Sequence, residues 1–320
     1  MQMFAAPDNA IATLHRGVYG KVEFLRCSGA GAAPARSEVA THLHFSLPLS
    51  GSFVWHAERE DVFADPTALL CTHAGEPYRI SHPHGGDLTL VIIPSRHVLA
   101  ELSERAEQAG LGVRRRTLVA PARAQLLAYA FCVDALMRDT FAADECLLAF
   151  FESVAIGEST DRTMHEDVLV RRTLEFVHYT PESQLSLSSV AAAVGTRASY
   201  LTHAFARHTG QPLYRYIMSL KLARALHRVT TTHDDLTQIA LDLGFSSHSH
   251  FSAAFKSRYG MSPSEARNGF DCEKALFSTW DTAARAPLPW RPLCAARGGF
   301  TVCQASPHTS ESHSSRARSR

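Results

Sequence analysis

Ser199, Thr202, His203 and Arg207 stand in "ASYLTHAFARH" (198–208), and Ser249, His250, Ala253, Lys256 and Arg258 stand in "HSHFSAAFKSRY" (248–259). In each segment short hydrogen-bonding or small side chains precede cations at helical spacing. That order suits a helix that reads base edges with its front and grips phosphate behind. Histidine offers a second chemistry. Three His-x-His pairs occur, at His42/His44, His82/His84 and His248/His250, where random placement of eighteen histidines gives roughly one. On strands, residues two apart share a face, so either of the first two pairs could converge on one ion. On a helix, His248 and His250 face apart. His42-Leu43-His44 is followed by "FSLPLSGS", which contains no carboxylate, so the metal motif is broken. We therefore assign no metal and no cofactor, and read His42, His44, His82 and His84 as polar contacts to a bound small molecule. No nucleophile motif, phosphate loop or dinucleotide fingerprint occurs, so no catalytic residue is assigned and the chain is not expected to be an enzyme.

The elements that carry the first two segments are an internal repeat. Val190, Ala191, Val194 and Gly195 match Ile239, Ala240, Leu243 and Gly244 at an offset of 49, and Leu201, Ala204, Phe205 and Gly210 match Phe251, Ala254, Phe255 and Gly260 at an offset of 50. Each copy predicts a short helix stopped by glycine, N-cap candidates (Thr196; Ser246 and Ser247), and a second helix anchored by phenylalanine. That is the helix-turn-helix layout. Between the copies, "PLYRYIMSLKLARALHRV" (212–229) predicts a connecting helix of roughly 25 Å. Such a connector suits two recognition helices about 34 Å apart, one turn of duplex. Eight cations face three aspartates between residues 197 and 258, although the whole chain is only +1. Positive charge concentrated there is the footprint of phosphate contact.

Residues 170–267 resemble the C-terminal DNA-binding domain of the AraC/XylS family of bacterial transcription regulators, above all in "IALDLGFSSHSHFSAAFKSRYGMSPSEAR". The resemblance implies seven helices, two of them recognition helices. It places base-facing residues at Ser199, Thr202 and His203 and at Ser249, His250 and Ala253, with phosphate contacts at Arg207, Lys256 and Arg258. The partners it implies are double-stranded DNA and RNA polymerase. Two departures stand in the first copy: Ala206 where a cation is common, and His203 where arginine often sits.

Ahead of this module, short apolar or alternating runs such as "VYGKVEFL", "SFVWH" and "LTLVII", punctuated by Gly and Pro turns, predict an antiparallel barrel or sandwich over about 18–93. Helical spacing follows over about 94–157, with Leu126, Leu127, Phe131, Leu147, Phe151 and Val154 among the apolar positions. The family resemblance makes the first part a cupin-like effector barrel and the helices a homodimer contact; burial of the barrel's open side is the competing use of the same stripes. The expected fold class is α+β: a cupin-like barrel with amphipathic helices (1–157), a polar linker (158–167), an all-α double helix-turn-helix domain (168–270) whose motifs are joined by a helix, and a partly disordered C-terminal extension (271–320). Seven scattered cysteines without a CxxC pair argue against a disulfide framework or zinc ribbon. Without an apolar run of membrane length or a leader pattern, a cytoplasmic protein with no membrane partner is expected. The residues point to a sequence-specific DNA-binding regulator that answers a small effector. The alternatives are a cupin-type metalloenzyme with an appended DNA module, and a DNA binder that needs no effector.

Overall fold

The structure is a computed structural model that describes residues 9–29, 37–57, 61–108, 117–137, 139–155 and 168–270. The polar linker at 158–167 and the extension at 271–320 lie outside the described residues.

Alternating and β-branched runs give the strands β1 (Asn9–Arg16), β2 (Gly20–Cys27), β3 (Glu38–Val39), β4 (His44–Ser50), β5 (Phe53–His56), β6 (Asp61–Ala64), β7 (Ala68–Thr72), β8 (Pro77–Ser81) and β9 (Asp87–Pro94). After them come α1 (Arg96–Gln108), β10 (Thr117–Val119), α2 (Ala122–Met137) and α3 (Thr140–Ala155). The strands pair antiparallel in a six-stranded sheet ordered β1-β2-β9-β4-β7-β10 and a four-stranded sheet ordered β3-β8-β5-β6. The β2–β9 ladder runs from Gly20↔Pro94 to Cys27↔Asp87, which sets Cys27 directly across from Asp87. Two strands fall outside the expected 18–93 segment. β1 precedes it, and β10 interrupts the expected helical stretch to pair with β7. Three residues of strand are too short to leave a period in the sequence.

The apolar stripes of α2 and α3 close one face of the six-stranded sheet. Phe150 and Phe151 are buried, with their rings 6.4 and 6.3 Å from Phe45 of β4. Leu147 and Phe131 are buried in the same cluster. These residues therefore serve the competing use of the stripe, covering the sheet within one chain. Phe141, at the start of α3, is left 72 % exposed.

The second half is helical: α4 (Val168–Tyr179), α5 (Leu187–Ala193), α6 (Ala198–Thr209), α7 (Leu213–Thr231), α8 (Leu236–Asp242), α9 (His248–Tyr259) and α10 (Pro263–Gly269). One hydrophobic cluster runs from Phe24 and Leu47 of the sheet through Tyr129 and Leu147 to Leu222, Phe251 and Phe255. A second gathers Val170, Leu174, Val190, Leu201, Phe205 and Ile217, with Phe63 of β6 packed against it. Each fully buried Phe stabilises by about 1.5–3 kcal/mol relative to exposure. Because both clusters include residues of both halves, the sheets and the helical module are joined by apolar packing.

Candidate DNA-binding interface

Two helix-turn-helix units emerge from local chemistry. Ser186 opens α5 with a capping box, its side chain accepting from Ser189 N–H; Asp235 opens α8 by accepting from the N–H groups of Thr237 and Gln238. Both first helices stop at a glycine with left-handed φ, 72° at Gly195 and 71° at Gly244, as expected of the repeat. Ser247 caps α9 through His250 N–H at 3.1 Å. In the first unit the cap position is Arg197, without a side-chain bond, so Thr196 does not play the expected role. Its backbone N–H instead donates to Ala191 O at 2.9 Å. Leu201 and Phe205 of α6, like Phe251 and Phe255 of α9, are fully buried, so each second helix is anchored on one side. α7, 19 residues long, spans about 28 Å between the units.

The residues opposite those anchors are the expected base-facing set. Ser199, His203, Ser249, His250 and Ala253 are exposed. Thr202 is half-buried and donates its hydroxyl to Ala198 O at 2.9 Å, which leaves mainly its methyl outward. Ser199, Tyr200 and His203 also line an open depression of about 840 Å³ with Ala192, Gly195, Thr196 and Arg197. His250 is held in place: its Nδ1 lies 3.1 Å from Ser246 Oγ and its ring meets Phe245 edge-on at 5.5 Å.

Charge is distributed less simply than its sum suggests. Arg197, Arg207, Arg215 and Lys256 are exposed. The other four cations of the repeat face inward or bind acids. Lys221 is buried, and desolvation lowers its pKa against the pull of Glu182. Arg224 pairs with Glu182. Arg228 is clasped by Asp234 at 2.7 Å and Asp242 at 2.9 Å. Arg258, expected on phosphate, sends Nη2 to Gln125 Oε1 of α2 at 3.1 Å and Nη1 toward Ser219 at 3.5 Å. In this arrangement its guanidinium serves contact between the halves rather than the open face. A tally of charges cannot see such partners, because Gln125 is 133 residues away.

A buried polar cluster joins the halves elsewhere. Tyr216 of α7 donates to Asp65 Oδ2 at 2.5 Å, and His178 Nε2 of α4 lies 3.3 Å from the same oxygen. Arg224 Nη2 lies 3.2 Å from His178 Nδ1. A guanidinium only donates, so Nδ1 accepts and the histidine proton sits on Nε2, facing Asp65. Burial lowers the His178 pKa, and Arg224 reinforces this against Asp65. The arrangement thus favours the neutral ring. Sequence reasoning missed this cluster; "ADPT" (64–67) reads only as a turn.

The four expected effector histidines do not form one site. His42 precedes β4 rather than lying on it, and His44 Nδ1 donates to His42 O at 3.1 Å, so the shared-face geometry does not arise. His44 has its pKa lowered, by burial first. His82 turns to Asp87, at 2.7 Å, and to Cys27, at 3.6 Å. Burial opposes its charge, but those hydrogen bonds outweigh it and raise the pKa to about 9. His84, in the turn beyond β8, stacks on His178 at 5.7 Å and meets Tyr179 edge-on at 4.6 Å. It belongs to the contact between the halves, where burial and then His178 lower its pKa to about 4. A turn, unlike a strand, need not send residues two apart to one side.

Comparison with known proteins follows the same division. Residues 4–155 match the model of an AraC-binding-like domain, and residues 190–269 match that of a helix-turn-helix domain. The chain is 40 % identical over 65 residues to the HTH-type transcriptional activator RhaS of Escherichia fergusonii, covering 20 % of this chain and 23 % of that protein. It is 31 % identical over 111 residues to the putative HTH-type transcriptional regulator YkgA of Escherichia coli, covering 35 % and 46 %. These alignments thus span less than half of the relatives' own lengths. A crystal structure of ToxT from Vibrio cholerae aligns over 82 % of this chain and 98 % of its own, at 15 % identity and a TM-score of 0.33. With an AraC-binding-like domain in its first half and a helix-turn-helix domain in its second, the chain belongs to the AraC family.

Proposed function

We propose that the protein is a sequence-specific, double-stranded-DNA-binding transcription regulator, with residues 168–270 holding DNA and residues 1–157 receiving a small-molecule effector. One observation carries this reading: two phenylalanine-anchored helices present Ser199 and His203, and Ser249 and His250, on exposed faces at the two ends of α7. Exposed hydrogen-bonding side chains supply base readout; Arg207 and Lys256 behind them supply phosphate contact. Membership of a family whose named relatives are transcription activators and regulators supports the same role, and argues for a regulator rather than an enzyme. Among the described residues no helix is long and apolar enough to cross a membrane, which accords with action on DNA in the cytoplasm.

The effector half is coupled to the DNA half through Asp65, Tyr216, His178 and His84, so a ligand that reshapes the sheets changes those contacts. The exposed Phe141 is the apolar residue that α3 offers a second copy in a homodimer. RNA polymerase is the further partner of this reading. Selection of bound duplexes from a random pool by the full chain tests the proposal. Enrichment of a defined motif, with affinity that falls steeply with salt, is expected; recovery of unrelated duplexes at equal affinity would overturn it.

A further inference from the structure

The sheets bring together three side chains that no sequence spacing connects. Cys27 and Asp87 are direct partners across the β2–β9 ladder. Neighbours across an antiparallel pair carry their side chains on one face of the sheet. His82, which follows β8, closes over the pair: its Nδ1 lies 3.6 Å from Cys27 Sγ, its Nε2 lies 2.7 Å from Asp87 Oδ1, and donor atoms of all three residues lie within 4.8 Å of one another. Asp87 is buried, whereas Cys27 and His82 are half-buried, so the cluster is walled on one side and reachable from the other.

We propose that Cys27, His82 and Asp87 form a binding site for a borderline-soft divalent cation of the zinc class. Thiolate, imidazole and carboxylate together suit zinc, and the thiolate selects against magnesium and calcium. Metal–sulfur and metal–nitrogen bonds of about 2.3 and 2.05 Å at a tetrahedral angle put the two donors about 3.6 Å apart. Cys27 Sγ and His82 Nδ1 already have that separation. Asp87 completes the set by rotating from His82 Nε2 to the ion, and its second oxygen is held by the Thr89 hydroxyl. A fourth position faces the accessible side and takes water or a donor atom of an effector.

The site is rigid where a chelate needs rigidity. Gly86 lies in the segment that links His82 to Asp87, and a side chain there would collide with the Cys27 carbonyl. The chain returns from His82 to β9 pressed backbone to backbone against the end of β2. Loading the ion displaces the thiol and imidazole protons, so uptake strengthens as pH rises. Retention of the ion does not depend on DNA, so it stands or falls separately from the regulatory role.

The test uses the full chain, reduced and stripped with a chelator. Cobalt(II) titration is expected to give a sulfur-to-metal charge-transfer band and tetrahedral d–d absorption that saturate at one equivalent, with zinc(II) displacing the cobalt. Cys27→Ser should abolish the charge-transfer band, Asp87→Asn should weaken zinc at least about tenfold against a chromophoric competitor, and Cys146→Ser should change neither. Because the variants can be destabilised, the unaltered protein gives a second readout: zinc should slow alkylation of Cys27, mapped by peptide mass spectrometry, at least about tenfold. A thiolate band that is absent, or that survives Cys27→Ser, would overturn the proposal. So would an alkylation rate at Cys27 that zinc leaves unchanged.

Discussion

Tyr216 donates its hydroxyl to Asp65 Oδ2 at 2.5 Å, across 151 residues of sequence, and Asp65 is 1 % exposed. The other carboxylate oxygen accepts from Thr67 N–H at 2.7 Å and Thr67 Oγ1 at 2.6 Å. Each oxygen of a buried carboxylate therefore has donors, and one of them comes from the connecting helix of the DNA-binding half. Tyr216→Phe removes that donor and keeps the ring. Because the lost hydrogen bond is to a charged group, unfolding in urea should show a loss of about 1.5–3 kcal/mol. A midpoint equal to that of the unaltered protein would show that the bond contributes nothing to joining the halves.

Acidification should weaken the same contact. Burial lowers the pKa of His178, of His84 to about 4, and of His227, beside Tyr129, also to about 4. The charged groups around His178 are Asp65 from the turn after β6, Glu182 from the segment after α4, and Arg224 from α7; Tyr216, His84 and Phe63 also pack against it. The folded state favours neutral rings, so nothing is lost above the ordinary histidine pKa near 6.5, and stability falls as pH drops below it toward the lowered values. The urea midpoint should decrease between about pH 6.5 and about pH 5, below the range in which His82, with its pKa raised to about 9, changes stability, and His227→Phe should flatten that decrease. A His227→Phe variant with the full pH dependence would remove His227 from the account.

His250, Lys256 and Arg258 should differ in kind when truncated. His250 is exposed at the front of α9, so His250→Ala should weaken a selected operator by about 1–3 kcal/mol and leave scrambled duplex nearly unchanged. Lys256→Ala should weaken both duplexes and lower the magnitude of the salt slope by about 1. Arg258→Ala should leave the salt slope alone and lower stability instead, because it removes a bond that ties α9 to Gln125 of α2 and leaves the Tyr259 hydroxyl as the donor to Gln125 Oε1. Anisotropy titrations at several salt concentrations, with unfolding curves beside them, separate the three. An equal loss on both duplexes for His250→Ala would contradict base reading.

Phe251 and Phe141 test the anchors against the open surface. Phe251→Ala opens a cavity in the shared core and should cost about 3–5 kcal/mol in urea unfolding. Phe141→Ala, at an exposed position, should stay within about 0.5 kcal/mol while shifting any dimer toward monomer in sedimentation. Sedimentation unchanged by Phe141→Ala would remove that residue from a dimer contact.

What the sequence made legible was local. The repeat reported both helix-turn-helix units because glycine stops and phenylalanine anchors act within a dozen residues. The exposed faces with Ser199, His203, Ser249 and His250 follow from helical spacing alone. Long-range partners left no such trace. Arg258 looks like any cation behind a recognition helix until Gln125 is brought to it, and Cys27 meets Asp87 only through strand register. His82 and His84 looked like a pair because spacing was read as if they shared a strand; in a turn, one joins Asp87 and the other joins His178.

The central claim is that one chain reads DNA with two helices joined by α7. Hydroxyl-radical footprinting of the full protein on a selected operator tests it most directly. Protection of two successive major-groove segments, about 10 base pairs apart, is predicted. His203→Ala should relax the nearer contacts in one segment and His250→Ala those in the other. Protection of a single segment, or loss of both segments together in either variant, would contradict the two-helix account.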